Sequence, residues 1–164
     1  MTKNDKILNL GCGNSRLGED LSEEGYEDIT NIDFSAKVIS IMEEKCKAKF
    51  PKMSFKVMDA LNMKEFQTGS FNTIIDKGTL DSILCADNSV PNAQKMLAEV
   101  FRVLAPGGHY ICITYGDPEH RKKFPLYLYY DKAEIKMKIS DYFEKYSLII
   151  QYSLKIKFLN FIFN

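Results

Sequence analysis

Hydrophobic residues follow two different periods along this chain. Short and nearly continuous apolar runs are typical of strands buried on both faces, whereas apolar residues spaced three and four positions apart indicate helices. The sequence predicts strands over 6–10, 29–33, 54–58, 71–76 and 109–114, and helices over 15–24, 35–50 and 92–104. This order predicts an α/β fold, a Rossmann-like doubly wound sheet that is mostly parallel and covered by helices on both faces.

Residues with strong positional preferences mark the ends of the predicted helices. Gly25 is a natural C-terminal cap for the first helix, and Ser35 is a good N-cap for the second, which Pro51 stops. A Pro-Gly-Gly turn at 106–108 ends the third helix. The predicted helices therefore have local start and stop signals as well as a hydrophobic period.

The end of the chain has a period of two. Between Leu148 and Phe158 the even positions are apolar, while 151, 153, 155 and 157 are polar. This alternation is typical of an antiparallel strand with one buried face. We therefore expect an antiparallel C-terminal strand or hairpin, and its turn is left open because no glycine or proline marks one.

Length and charge restrict the class of protein. At 164 residues the chain is long enough for one domain, which we assign to residues 1–164, and too short for a second. Lys and Arg number 22, as do Asp and Glu, so no net field favours nucleic acid or an anionic membrane. Apolar stretches also stay shorter than the roughly eighteen residues of a membrane span. We expect neither nucleic acid nor a membrane as a partner.

The cysteines and histidines do not predict a metal site. Cys12, Cys46, Cys85 and Cys112 are widely spaced, and the chain has only two histidines. Cys12 and Cys112 are interpreted as small, buried hydrophobic residues. The absence of a signal peptide favours a cytoplasmic, reducing location.

The first strand leads into a glycine turn that is suited to a nucleoside. Gly11 and Gly13 lack a Cβ, so the backbone can turn sharply and approach a ligand closely. Asp33 lies 22 residues after Gly11, at the end of the second predicted strand. An acid at this spacing accepts hydrogen bonds from the hydroxyls of a ribose. The sequence therefore predicts a cofactor that contains adenosine.

The position three residues after Gly13 favours a cofactor without phosphates. A dinucleotide fingerprint has a third glycine there, which brings a pyrophosphate onto the helix N-terminus. This chain has Arg16 instead. The shorter turn suits S-adenosylmethionine, and a nicotinamide-dependent oxidoreductase remains as an alternative that the same turn and Asp33 would serve.

Candidate polar residues lie at the carboxyl ends of several predicted strands. Gly11, Asp33, Asp59 and Asp76 each follow or end such a strand. In an open parallel sheet, ligands bind at these ends beside the point where the strand order reverses. We therefore expect the four residues to border one site.

Several of these segments, in this order, resemble the motifs of the class I S-adenosylmethionine-dependent methyltransferases. The resemblance covers residues 6–116 and rests on the runs Leu8-Asn9-Leu10-Gly11-Cys12-Gly13, Asp33, Met58-Asp59-Ala60 and Leu104-Ala105-Pro106-Gly107-Gly108. A narrower similarity, carried by residues 11–15 and by Asp76-Lys77-Gly78-Thr79-Leu80-Asp81, is to a methyltransferase-like group. This group contains the elongation factor 1-alpha lysine methyltransferases and the methyltransferase domain linked to endothelin-converting enzyme.

The resemblance implies an S-adenosylmethionine-dependent methyltransferase that acts on a protein lysine and leaves S-adenosylhomocysteine as product. Gly11 and Gly13 would pass under the amino-acid part of the cofactor, and Asp33 would bind its ribose. The cofactor-binding residues that it implies are Gly11, Cys12, Gly13, Asn14, Asp33, Phe34, Ser35, Met58, Asp59, Ala60, Asp76 and Lys77.

Further roles follow from the same resemblance. Phe34 and Met58 would enclose the adenine, and Asp59 would accept a hydrogen bond from its amine. Asp76 and Asp81 would lie beside the incoming nucleophile, where a carboxylate can orient an amine or relay its proton.

Structural explanations compete with these roles. Phe34 and Met58 could belong to the core, Asp59 could cap a turn, and Asp81 could cap a helix. The methyl acceptor could be a protein, with a translation elongation factor as one candidate, or a small molecule. A non-catalytic methyltransferase-like binding module is a further alternative.

The chain departs from the family pattern at two places. Asn9 replaces the acid that many such enzymes have in the first motif, and the chain starts only a few residues before the first predicted strand. We therefore expect the domain to lack the N-terminal lid segment that the family places over its cofactor.

Overall fold

The computed structural model describes residues 1–115, 134–137 and 148–153. The strands are β1 (Ile7–Leu10), β2 (Ile29–Asp33), β3 (Ser54–Val57), β4 (Phe71–Lys77), β5 (Leu104–Thr114), β6 (Glu134–Met137) and β7 (Leu148–Ser153). The helices are α1 (Leu17–Glu23), α2 (Ala36–Lys47), α3 (Thr79–Leu84) and α4 (Ser89–Val103).

Within these residues the strands form one sheet in the order β3-β2-β1-β4-β5-β7-β6. The pairs β1–β2, β2–β3, β1–β4 and β4–β5 are all parallel. The chain moves outward from β1 to β3 and then crosses to β4, so the strand order reverses between β1 and β4. This confirms the predicted Rossmann-like, mostly parallel sheet, and it places the switch point where ligands bind in such folds.

The last two described strands run against their neighbours. β7 pairs antiparallel with β5, Thr114 facing Leu148, and β6 pairs antiparallel with β7. The part of the predicted period-two segment after Ser153, up to Phe158, lies outside the described residues.

The structure differs from the sequence prediction around β5. The predicted strand began after the Pro-Gly-Gly turn, but β5 begins at Leu104, before it. Leu104 faces Phe71 and His109 faces Thr73, so residues 105–108 are inserted between these two ladder positions as an irregularity. Gly107 has φ +79°, a left-handed conformation that glycine adopts without steric cost. The turn therefore interrupts the strand instead of preceding it.

The helix α3 was not among the elements predicted from the hydrophobic period, although a helix after the turn at 77–79 was the structural alternative for Asp81. It has six residues, of which Leu80 is buried, and so few residues do not show a helical period. Gly78, with φ +83°, turns the chain from β4 directly into α3. This short helix turns out to contact the glycine turn after β1.

Hydrophobic side chains cover both faces of the sheet. On one face, residues of β1, β4 and β5 pack against α3 and α4, including Leu8, Leu10, Ile74, Leu97 and Tyr110. On the other face, Ile7, Ile29 and Ile75 pack against α1. Each fully buried side chain of this size stabilises the fold by about 1.5–3 kcal/mol. The strands that hold the candidate site are thus fixed from both sides.

A pair of buried amides lies inside this core. The Asn9 side chain donates to the Asn31 side-chain oxygen at 2.8 Å, and Asn31 donates to the Ser54 carbonyl at 3.2 Å. Asn9 and Asn31 are each 2% exposed and face each other across β1 and β2. The two asparagines together therefore link β1, β2 and β3.

Within the part of the chain that the structure describes, no helix is long and apolar enough to cross a membrane. Among the same residues, no cluster of His, Cys, Asp and Glu side chains could hold a metal ion.

Candidate functional site

The loop after β1 contains two glycines with left-handed backbones. Gly11 has φ +62° and Gly13 has φ +53°. A Cβ on Gly11 would lie 2.2 Å from the Thr79 Oγ1, so α3 closes this side of the turn. A Cβ on Gly13 would meet no atom within 4 Å. Thr79 therefore occupies the space beside Gly11, whereas the space beside Gly13 is open.

Asp33, the last residue of β2, is hydrogen-bonded to this turn. Its Oδ2 accepts from the Gly13 N–H at 2.9 Å, and its Oδ1 accepts from the Ser35 N–H at 2.9 Å. A carboxylate offers about four acceptor positions, so these two bonds leave room for ligand hydroxyls. The side chain is 9% exposed, which places it at the base of the site and still in reach of a ligand.

The residues beside Gly13 and Asp33 have separate structural roles. The N–H of Cys12 donates to the Ile32 carbonyl at 2.8 Å, which holds the glycine turn against β2. Ser35 caps α2 by accepting from the Val38 N–H at 3.4 Å, as predicted. Asn14 is exposed.

The Cys12 thiol is buried beside Asp33. Burial first, and then the Asp33 charge, raise the pKa of this thiol to about 12. It is therefore protonated at neutral pH and behaves as a small hydrophobic side chain. Cys112 is buried as well, so the interpretation of both residues is confirmed.

Phe34 and Met58 lie in very different environments. Phe34 is 83% exposed, although it follows the buried end of β2, so it is not part of the core. Met58 is 7% exposed and belongs to the main hydrophobic cluster, and its N–H donates to the Asp33 carbonyl at 2.9 Å. The core explanation therefore holds for Met58 and is wrong for Phe34.

The residues after β3 form a capped turn. Asp59 is exposed, and its Oδ1 accepts from the Leu61 N–H at 2.9 Å while its carbonyl accepts from the Asn62 N–H at 2.9 Å. Ala60 packs against the main hydrophobic cluster. Asp59 therefore caps this turn, which is the structural explanation that was the alternative to adenine binding.

Asp76 has no exposed surface and holds the start of α3. Its Oδ1 accepts from the N–H groups of Thr79 at 2.9 Å and Leu80 at 3.2 Å. Its Oδ2 accepts from the Tyr110 hydroxyl at 2.8 Å. A buried carboxylate that caps a helix does not face an incoming nucleophile. The geometry therefore does not support the predicted role of Asp76 beside the acceptor.

The environment of Asp76 also changes its pKa. Burial raises the pKa of this carboxyl to about 6, and the charge of Asp81 acts in the same direction. The hydrogen bonds from Tyr110, Leu80 and Thr79 oppose this effect without cancelling it.

Asp81 lies in the first turn of α3 and faces the end of β5. Its Oδ1 accepts from the Thr114 hydroxyl, and its Oδ2 accepts from the Tyr115 N–H at 2.9 Å. Asp76, and not Asp81, accepts from the N–H groups at the start of α3. The helix-capping role that was the structural alternative for Asp81 is therefore filled by Asp76. Tyr115 is 79% exposed, so Asp81 lies near the surface at the carboxyl edge of the sheet. Lys77, at the end of β4, is also exposed.

The sequence-predicted residues thus form two groups at the carboxyl edge of the sheet, joined by a residue that sequence reasoning missed. Thr79 donates to the Leu10 carbonyl at 2.7 Å and so connects α3 to the glycine turn. The only sequence signal for Thr79 was its place inside the segment 76–81. The first group is Gly11, Cys12, Gly13, Asn14, Asp33, Phe34, Ser35, Met58, Asp59 and Ala60, and the second is Asp76, Lys77 and Asp81.

Comparison with known proteins defines the class to which this fold and site belong. The family model of the methyltransferase domain matches residues 1–155. A solved S-adenosylmethionine-dependent methyltransferase from Methanosarcina mazei superposes with a TM-score of 0.70 at 21% identity, covering 96% of this chain and 95% of that chain. The chain belongs to the methyltransferase domain family. At the level of the family, the predicted cofactor S-adenosylmethionine is confirmed.

The chain is also similar in sequence to two named lysine methyltransferases. The eEF1A lysine and N-terminal methyltransferase of Bos taurus is 46% identical over 121 residues, which is 73% of this chain and 17% of the relative. The EEF1A lysine methyltransferase 4 of Mus musculus is 35% identical over 125 residues, 71% of this chain and 48% of the relative. The chain therefore spans less than half the length of either relative.

Proposed function

We propose that this chain is an S-adenosylmethionine-dependent methyltransferase domain whose acceptor is a protein lysine, with elongation factor 1-alpha as the first substrate to test. The observation that carries the proposal is the hydrogen bond between the Gly13 N–H and Asp33. It joins an open, left-handed glycine turn to an acid at the end of the neighbouring strand, at the switch point of the sheet.

The described residues fit the cofactor. The open space over Gly13 leaves room for a ligand against the backbone, and Asp33 keeps acceptor positions for ribose hydroxyls. Phe34 exposes its ring one residue beyond Asp33, and an adenine that covered it would bury apolar surface. When bound, S-adenosylmethionine supplies a methyl group activated by its sulfonium.

Around the turn, the residues have different tasks. Gly11, Cys12 and Gly13 present their backbone to the ligand. Ser35 and Met58 fix the position of Asp33, since the Ser35 N–H donates to its carboxylate and the Met58 N–H donates to its carbonyl. Asn14, Asp59, Ala60 and Lys77 are proposed to border the cofactor.

Asp81 is the acid that we propose for the acceptor side. A lysine amine must lose its proton before it attacks a methyl group, and a nearby carboxylate can orient it or accept the proton. Asp81 is held at the surface edge by Thr114 and Tyr115, whereas Asp76 is sealed inside. We propose Asp76 as a positioning residue that fixes α3, on which Asp81 lies.

The names of the relatives favour lysine over other acceptors. The Bos taurus protein is named for a lysine and an N-terminal activity, whereas the Mus musculus protein is named for lysine alone. Lysine is common to both, so it is the acceptor that we propose. The whole relatives are longer than this chain.

We also propose that the protein is located in the cytoplasm and has neither nucleic acid nor a membrane as a partner. Cys12, Cys46 and Cys85 are free thiols in the structure, as a reducing compartment such as the cytoplasm would keep them. The balanced charge of the chain gives no support for a nucleic-acid or membrane partner.

Methyl transfer to recombinant elongation factor 1-alpha tests the proposal. The native chain should transfer labelled methyl from S-adenosylmethionine to a lysine that mass spectrometry can locate. Asp81→Asn should lower the rate by about a hundredfold or more, the usual contribution of a general base, and leave cofactor affinity unchanged. Asp87→Asn, at an exposed aspartate in the loop after α3, is the matched control and should retain full activity. Cofactor binding without transfer to any lysine would contradict the proposed acceptor.

A further inference from the structure

Thr79 contacts the glycine turn from the side opposite to Asp33. It is the first residue of α3, and a Cβ on Gly11 would lie 2.2 Å from its Oγ1 and 2.9 Å from its Cγ2. Both arms of this branched side chain therefore lie over Gly11. The space that a larger residue would need in the turn is already occupied by Thr79.

The Thr79 hydroxyl also holds the backbone where it leaves the sheet. It donates to the Leu10 carbonyl at 2.7 Å, with the Gly11 carbonyl 3.5 Å away. Leu10 is the last residue of β1 and is fully buried. This hydrogen bond ties the end of β1 to α3, another element of the fold.

Thr79 is itself held in place. Its N–H donates to the Asp76 Oδ1 at 2.9 Å, and a β-branched side chain has few rotamers from which to choose. Two residues later, Asp81 accepts hydrogen bonds from Thr114 and Tyr115. The helix α3 is thus joined to the cofactor turn at one residue and to the acceptor edge at another.

We propose that Thr79 is a positioning residue whose hydroxyl holds the Gly11–Gly13 turn in its cofactor-binding conformation. This role rests on the proposed function. Asp33 fixes the Gly13 end of the turn and Thr79 fixes the Leu10 end. Without the hydroxyl, the turn would spend part of its time in conformations that do not bind. Apparent affinity falls in proportion to the competent fraction.

Calorimetric titration of S-adenosylhomocysteine into the 164-residue chain, well below the melting temperature, tests this role. Thr79→Val removes the hydroxyl and keeps the shape, and it should weaken binding about fivefold to tenfold, as loss of one hydrogen bond allows. Thr79→Ser keeps the hydroxyl and should bind within about twofold of the native chain. This rescue separates a positioning hydroxyl from general packing.

Thr73 offers a matched control at the other end of the sheet. Its hydroxyl donates to the Asp5 Oδ2 at 2.9 Å, and Thr73 faces Ile7 at the start of β1. Thr73→Val removes a comparable hydrogen bond and should leave cofactor affinity unchanged.

Several outcomes would overturn the role of Thr79. They are native affinity in Thr79→Val, equal losses in the valine and serine variants, and an equal loss in Thr73→Val. If Thr79→Val does not fold, Thr79→Ala replaces it, and binding as tight as that of Thr79→Ser would overturn the role. If the native chain binds no S-adenosylhomocysteine, the proposed function itself fails and this role fails with it.

Discussion

Gly11 and Gly13 share a left-handed backbone but differ in what surrounds them. A side chain at either position costs about 1–2 kcal/mol in backbone strain. At Gly11 an added Cβ also collides with Thr79, whereas at Gly13 it enters open space. At residue scale, packing against Thr79 therefore restricts Gly11, whereas only its own backbone and the proposed ligand restrict Gly13.

The alanine variants of these glycines should behave differently. Gly13→Ala should lower the free energy of unfolding by about 1–2 kcal/mol and abolish detectable binding of S-adenosylhomocysteine, because its Cβ points into the space proposed for the ligand. Gly11→Ala should destabilise the fold more strongly, because Thr79 must move. Urea unfolding and calorimetry check both variants. Native-like affinity in Gly13→Ala would show that the turn is only structural.

The distinction between Asp76 and Asp81 shows what could not be predicted at residue scale. Both acids occur within one six-residue segment, and either could have been a cap or a catalytic acid. Their surroundings differ in burial and in contacts from β5 and the residue after it, since Tyr110 reaches Asp76 while Thr114 and Tyr115 reach Asp81. Such long-range contacts leave no local sequence signal.

At element scale, Asp76 links the stability of α3 to pH. Burial raises its pKa from 3.8 to about 6, so the folded chain binds this proton more tightly than the unfolded chain does. Between about pH 4 and pH 6 the folded state therefore carries the larger number of protons, and stability falls as pH rises. Above pH 6 this dependence disappears.

The variant Asp76→Asn isolates this effect. The amide oxygen can still accept from the N–H groups of Thr79 and Leu80, and the Tyr110 hydroxyl can accept from the amide. The stability of the native chain relative to Asp76→Asn should fall from about pH 4 to about pH 6 and stay constant above, as urea unfolding across this range can measure. A difference that rises with pH, or that does not change, would contradict the inferred protonation of Asp76.

The elements that could be predicted are those with a full hydrophobic period or a clear cap. The strands β1, β2, β3 and β4 all lie within a residue of their predicted bounds, and Ser35 caps α2 as expected. The hydrophobic period does not indicate α3, because six residues are too few to show one. The insertion at 105–108 was misplaced because its ladder partners, Phe71 and Thr73, are distant in sequence.

At the scale of the whole molecule, parallel strands bring these segments to one edge. Gly13 and Asp33 are twenty residues apart, and the register between β1 and β2 places them within one hydrogen bond. Sequence spacing predicted this meeting, because the topology of doubly wound sheets is limited. The exposure of Phe34 and the link through Thr79 required the folded arrangement.

Binding of the cofactor at Asp33 is the central claim, and calorimetric titration tests it most directly. S-adenosylhomocysteine and NAD would each be titrated into the native chain, into Asp33→Ala and into Asp87→Ala, with circular dichroism to confirm that each variant folds. The account predicts that the native chain and Asp87→Ala bind S-adenosylhomocysteine and not NAD. It also predicts that Asp33→Ala loses about 1.5–3 kcal/mol of binding free energy, as expected for hydrogen bonds to a charged group. Preference for NAD, or unchanged affinity in Asp33→Ala, would contradict it.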